Sequence, residues 1–136
     1  MLNRVIEIAA ALSDPLRVRL LAALRRGELR ASQLVVFAAV PPSTLSGHLA
    51  LLRRAGLVTA RRDGRWIHYR LADSPGREAH GALRWVFSAL RGDPQARRDR
   101  RLVRRVRTRP PRQTARVYLR AAPPGRASAK DKANHR

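Results

Sequence analysis

The feature that most restricts the fold is a change of hydrophobic period at Gly56. Before it, apolar residues recur three and four apart, as on helices; after it, in "LVTARRDGRWIHYRL" (57–71), they alternate. Helices running straight into one short alternating pair admit few architectures. Within that pair, Asp63-Gly64 predicts a two-residue type I′ turn. Counting outward sets Ala60 against Ile67 and Val58 against Tyr69 on an apolar face. Arg61 with Trp66, and Thr59 with His68, take the other face, while Arg62 and Arg65 flank the tip.

The helical part divides at its own stop signals. Leu2, Val5, Ile6, Ala9 and Leu12 predict a helix over about 2–12. Asp14 as N-cap, Pro15 at the first helical position and Gly27 as stop bracket a second, which buries Leu16, Leu20, Leu21 and Leu24. Arg25 and Arg26 close it where cations complement the helix dipole. "ASQLVVFAAV" (31–40) is strand or helix by period alone; Ser32 as N-cap favours a short helix, closed by Pro41-Pro42. The next helix, about 42–55, buries Leu45, Leu49 and Leu52. Its opposite side carries only Ser43, Ser46, Gly47, Ala50 and Arg54. After Pro75-Gly76, a helix at about 77–91 aligns Ala79, Leu83, Val86, Phe87 and Leu90. Asp93-Pro94 opens another, about 94–107, whose Leu102, Val103 and Val106 make a thin stripe in "RRDRRLVRRVR".

Charge narrows the partners. The 136 residues carry a formal +21, which favours a polyanion: nucleic acid or an anionic membrane. Residues 1–90 hold 14 Lys/Arg against 6 Asp/Glu, and residues 91–136 hold 16 against 3. From Thr108 onward prolines, glycines and small residues dominate, so 108–136 is expected to be a disordered basic tail adding sequence-blind affinity for phosphates. The absence of cysteine removes disulfides, thiolate nucleophiles and thiolate metal sites, and fits a cytoplasmic protein. The longest apolar run, Leu34–Val40, is too short to span a bilayer, so no membrane partner is expected. The N-terminal apolar stretch, broken by Glu7 and followed by Asp14-Pro15, reads as mature helix rather than signal peptide. No glycine-rich phosphate loop occurs, and Glu7, Asp14, Glu28, Asp63, Asp73 and Glu78 fall at caps, turns or solvated faces. No enzyme, catalytic residue or cofactor is expected.

Three helices, the last with a small polar face, followed by a basic-tipped hairpin, give the order of a winged helix-turn-helix. The expected fold is mainly α with a small β-hairpin. Residues 1–91 would be the DNA-binding and dimerisation domain, 92–107 a basic helix extension and 108–136 the tail. In that geometry the helix at 42–55 enters the major groove of double-stranded DNA. Gly47 lets the backbone approach, and Ser43, Thr44, Ser46 and Arg54 meet phosphates or base edges. From the wing, Arg61, Arg62 and Arg65 reach phosphates or the adjacent minor groove.

"ALSDPLRVRLLAALRRGEL", "STLSGHLALLRRAGLV" and "RRDGRWIHYRL", spanning 11–71, resemble the ArsR/SmtB family of winged-helix repressors. The resemblance implies a homodimer built on the first and last helices of the domain, bound to a palindromic operator. It also implies repression relieved by a ligand, most often a metal ion or arsenite. The departures concern that ligand. Where the family carries Cys-x-Cys at the start of the third helix, this chain reads "ELRASQL", with Arg30, Ser32 and Gln33 in place of two thiolates and a carboxylate. Glu78-x-His80 matches half of a second family site, whose other half falls on Arg91 and Pro94, which cannot ligate. No metal site is therefore expected, His80 reads as a surface or dimer-interface residue, and the inducer stays open. Pro42 and Gly47 replace polar residues that the family commonly uses for contacts. His48 reads as structural, His68 as lying on the exposed wing face and His135 as part of the tail. The alternatives are a sequence-independent basic nucleic-acid-binding protein, a zinc-responsive repressor acting through His80, and an interaction module that has lost DNA binding.

Overall fold

In the computed structural model, which describes residues 1–109, the helical spacing becomes α1 (Leu2–Leu12), α2 (Pro15–Leu24), α3 (Ala31–Ala38), α4 (Pro42–Arg54), α5 (Arg77–Ala89) and α6 (Pro94–Thr108). From residue 110 on, the expected tail lies outside the described residues. The strands are β1 (Leu29–Arg30), β2 (Val58–Asp63) and β3 (Trp66–Leu71), an antiparallel sheet in the order β1-β3-β2. Two helix starts follow their local chemistry. The Asp14 carboxylate accepts from the amides of Leu16 at 2.8 Å and Arg17 at 3.2 Å, and Asp93 accepts from Ala96 at 2.9 Å. A proline follows each aspartate at the first helical position.

The start of α3 differs from expectation. Its N-cap is Arg30, whose amide donates to Gln33 Oε1 at 2.8 Å. Ser32 sits two positions inside the helix, buried, its hydroxyl without a hydrogen-bond partner. The reason is β1: Leu29 and Arg30 pair with Tyr69 and His68, so the chain turns into the helix directly from the strand. Two residues are too few to leave an alternation in the sequence.

The hairpin register also differs. Ala60 pairs with Tyr69, Val58 with Leu71, Arg61 with His68 and Asp63 with Trp66. Asp63 closes the ladder instead of entering the turn, and Gly64-Arg65 form the two-residue loop. Gly64 has φ of +58° and Arg65 has no positive φ, the pattern of a type II′ rather than a type I′ turn. The slip is of two residues, an even number, so every side chain keeps its expected face.

The core lies between α2, α3, α4 and the base of the hairpin. Leu20, Leu21, Leu24, Leu34, Leu49, Leu52 and Leu57 are fully buried there, each contributing about 2 kcal/mol of transfer free energy. Leu16 is only half-buried. α6 turns back across α2 and α3 and buries Val103 and Val106. It is fastened by Asp99, which accepts from Arg19 Nε at 2.9 Å and Nη2 at 3.0 Å.

Candidate nucleic-acid interface

α3 ends at Ala39 in the left-handed conformation, φ 53°, and the chain re-enters a helix at Pro42. α4 buries Leu45, Leu49 and Leu52, which leaves Ser43, Thr44, Ser46, Gly47, Ala50 and Arg54 exposed. None of the three hydroxyls makes a hydrogen bond among the described residues. A Cβ added at Gly47 would meet no heavy atom within 4 Å, so nothing inside the fold calls for a glycine there. No side chain caps the first turn of α4, which leaves its amides open to an anion.

Behind that face, His48 ties α4 to α2. Arg17 Nη1 lies 3.1 Å from His48 Nδ1. The same guanidinium donates to the carbonyls of Ala11 at 2.8 Å and Ala10 at 2.9 Å. Partial burial works to raise the Asp14 carboxyl, but the Arg17 and Leu16 amides and the charges of His48 and Arg17 outweigh it and hold it low.

Gly56, with φ of +71°, ends α4 and passes the chain into β2. At the wing tip Arg62 is exposed and has no carboxylate partner among the described residues. Arg65 is also exposed, its guanidinium 5.6 Å from the Trp66 ring centroid. Arg61 is held differently. Its Nε and Nη2 donate to Glu28 at 2.9 and 2.6 Å. His68, by its spacing a residue of the exposed wing face, is instead largely covered, its Nδ1 3.1 Å from the same carboxylate. β1 brings Glu28 there by pairing beside β3. The hydrogen bond from Arg61 holds the Glu28 carboxyl below its ordinary range against partial desolvation, helped by the charges of Arg61, His68 and Arg70. The same bond raises the Arg61 guanidinium. The structure thus brings the α4 residues, Arg62 and Arg65 to open surfaces and engages Arg61 along β2. Glu28 and Arg17 organise this region, and no spacing in the sequence marks either one.

A second surface is apolar. Leu2, Val5 and Ile6 of α1 are 74%, 52% and 59% exposed, and Trp85 of α5 is 66% exposed. Val5, Ile8, Ala9, Leu12, Glu78 and Trp85 line a hollow of about 450 Å³ between the two helices. No single helix among the described residues is long and apolar enough to cross a membrane.

A helix–turn–helix with an unpartnered polar stripe on its second helix, followed by an antiparallel wing with a basic tip, defines a winged helix-turn-helix protein. Residues 14–60 match the arsR family of bacterial regulatory proteins. Over 87 residues the chain is 40% identical to the HTH-type transcriptional regulator CmtR of Mycobacterium tuberculosis, covering 64% of this chain and 74% of that protein. Among solved structures, the transcriptional repressor BigR from Xylella fastidiosa superposes with a TM-score of 0.55 at 30% identity, over 65% of this chain and 85% of that one. The homodimeric winged helix-turn-helix DNA-binding domain Mb0332 from Mycobacterium bovis gives a TM-score of 0.55 at 27% identity, over 65% and 76%. The chain belongs to the arsR family and is a transcription regulator of the winged helix-turn-helix type.

The metal ion implied by the family resemblance does not fit the residues present. At the start of α3, Gln33 is used in the cap, Ser32 is buried and the Arg30 guanidinium lies 5.5 Å from the Trp66 ring centroid. Glu78 and His80 both lie in the first turn of α5, but among the described residues no three His, Cys, Asp or Glu side chains converge.

Proposed function

We propose that the chain is a repressor that binds an operator palindrome as a homodimer, with α4 in the major groove and the wing on the flanking backbone or minor groove. The observation that carries this is the α4 stripe, whose hydroxyls and Gly47 have no partner among the described residues. A helix about 10–12 Å across fits a groove about 12 Å wide. Ser43, Thr44 and Ser46 are short enough to bond base edges or phosphates once the backbone at Gly47 comes close. Arg54 lies at the end of the same stripe. Arg62 and Arg65 take flanking phosphates or the minor groove, while Arg61 gives Nε and Nη2 to Glu28, which sets the wing and leaves Nη1 for a phosphate. The apolar face of α1 and Trp85 of α5 supply the dimer contact, an exposed patch that a lone domain has reason to cover. Two-fold symmetry then sets half-sites about 34–36 Å apart.

The second reading is a sequence-independent binder, favoured by the 16 Lys/Arg of residues 91–136. Fluorescence anisotropy with a duplex from the gene's own upstream region and with random duplex separates the two. The repressor prefers its operator by about a thousandfold or more, and the general binder does not. Ser43→Ala with Ser46→Ala is expected to cost about 1 kcal/mol or more at particular bases, whereas Arg62→Ala with Arg65→Ala weakens all duplexes alike. Equal losses from both pairs on every duplex would overturn this division of roles.

A further inference from the structure

α2, the C-terminal end of α5 and α6 border an open cavity of about 630 Å³, and none of its lining residues belongs to α4 or the wing. Its apolar lining comes from Ala22, Ala23, Phe87, Leu90 and Val103. Arg25, Arg26, Arg91, Arg100 and Arg104 stand around it. Asp99 also lines it, but that carboxylate is buried and already bonded to Arg19 and Gln95. None of the five arginines has a carboxylate partner among the described residues. Arg25 instead lies 4.8 Å from the Phe87 ring centroid. Along α6, Arg97, Arg100, Arg101, Arg104 and Arg107 recur three and four apart, a spacing at which like charges repel.

We propose that this cavity binds an amphipathic organic anion: an aromatic or aliphatic body ending in a carboxylate or sulfonate. The volume lies within the usual small-ligand range of about 300–1,000 Å³. The apolar lining takes the body, and the unpaired guanidiniums take the head and relieve their own repulsion. A bare inorganic anion would leave the apolar lining wet. A DNA backbone, convex and polar, would not enter. The cavity joins α2 to α5, and α5 also carries Trp85 on the dimer face, so occupancy shifts operator affinity. That second half rests on the DNA-binding reading; ligand binding itself does not.

The test uses the full chain and three probes in isothermal titration calorimetry: naphthalenesulfonate, naphthylmethylammonium and inorganic sulfate. The sulfonate is expected to bind saturably, and the other two at least about tenfold more weakly, the equivalent of one charge-assisted hydrogen bond. Arg100→Ala with Arg104→Ala lowers sulfonate affinity by about tenfold, and Ala22→Phe abolishes binding by filling the space with every arginine in place. Equal binding of the ammonium probe, equally tight sulfate, or undiminished binding to Ala22→Phe would each overturn the proposal. Should a variant fail to fold, the three-probe comparison on the unaltered chain still decides. Saturating sulfonate is then expected to shift operator affinity by about fivefold or more in the unaltered protein and not in Ala22→Phe. Binding without that shift overturns the regulatory half. A ligand-free protein with no operator preference overturns the repressor reading and leaves the binding result standing.

Discussion

Gly47→Ala separates what the fold needs from what the interface needs, because one methyl group acts on the two with opposite sign. A glycine inside a helix costs about 0.5–1 kcal/mol relative to alanine, through the backbone entropy it loses on folding. At Gly47 nothing offsets that cost, since a Cβ there meets no heavy atom within 4 Å. The variant is therefore expected to be more stable by about 0.5–1 kcal/mol, or about 2–6 °C in Tm. In the proposed binding mode the same methyl would stand between the α4 backbone and the base pairs. Operator affinity is expected to fall by about tenfold or more, with a smaller loss on random duplex. Thermal unfolding followed by circular dichroism reads the first effect, and anisotropy titration reads the second. A raised Tm with unchanged operator affinity would mean that this face of α4 does not approach DNA. A lowered Tm would refute the claim that the space beside Gly47 is empty.

Three further outcomes follow from the packing. Asp99→Ala leaves Arg19 without its carboxylate and should destabilise by about 3 kcal/mol, read from the urea midpoint. Trp85→Arg places a cation on the proposed dimer face, and sedimentation velocity at micromolar concentration should show the mass shift to monomer. Glu28 has a carboxyl lowered in the folded state, so its contribution is present at neutral pH, above the unfolded value of about 4.3, and is lost as pH falls through the lower folded value. Urea midpoints from neutral to acid pH should therefore fall less steeply in Glu28→Gln than in the unaltered chain.

What was legible in the sequence was what short stretches decide by themselves. Asp14-Pro15 and Asp93-Pro94 announce helix starts because cap and first turn lie within four residues, and both aspartates accept the expected amide bonds. The α4 stripe was equally readable, since helical spacing alone sorts Leu45, Leu49 and Leu52 from Ser43, Ser46 and Gly47. Ser32 misled because the true cap depends on β1, whose pairing partner lies on β3. Asp63-Gly64 misled in register and not in facing, since an even slip preserves the pleat. The partners of Arg61 and Arg19 were out of reach: Glu28 is 33 positions from the first and Asp99 is 80 from the second. Only the sheet order and the return of α6 bring those pairs together.

Those two pairs show how a chain of such high charge uses its few carboxylates. Five of its nine carboxylates have defined places in the fold: Asp14 and Asp93 cap helices, Asp99 fastens α6, Glu28 holds Arg61 and His68, and Asp73 pairs with Arg70. Arg62 and Arg65, and the arginines around the α2–α5–α6 cavity, have no carboxylate partner among the described residues. Screening acts over about 8 Å at physiological ionic strength, so exposed charges farther apart than that respond mainly to their own ligands. Charge reversal at Arg100 should accordingly act on the cavity, whose helix it shares with Asp99, and leave the wing as it is. Removing Glu28 reaches further, because that one carboxylate sets the wing base against the strand preceding α3.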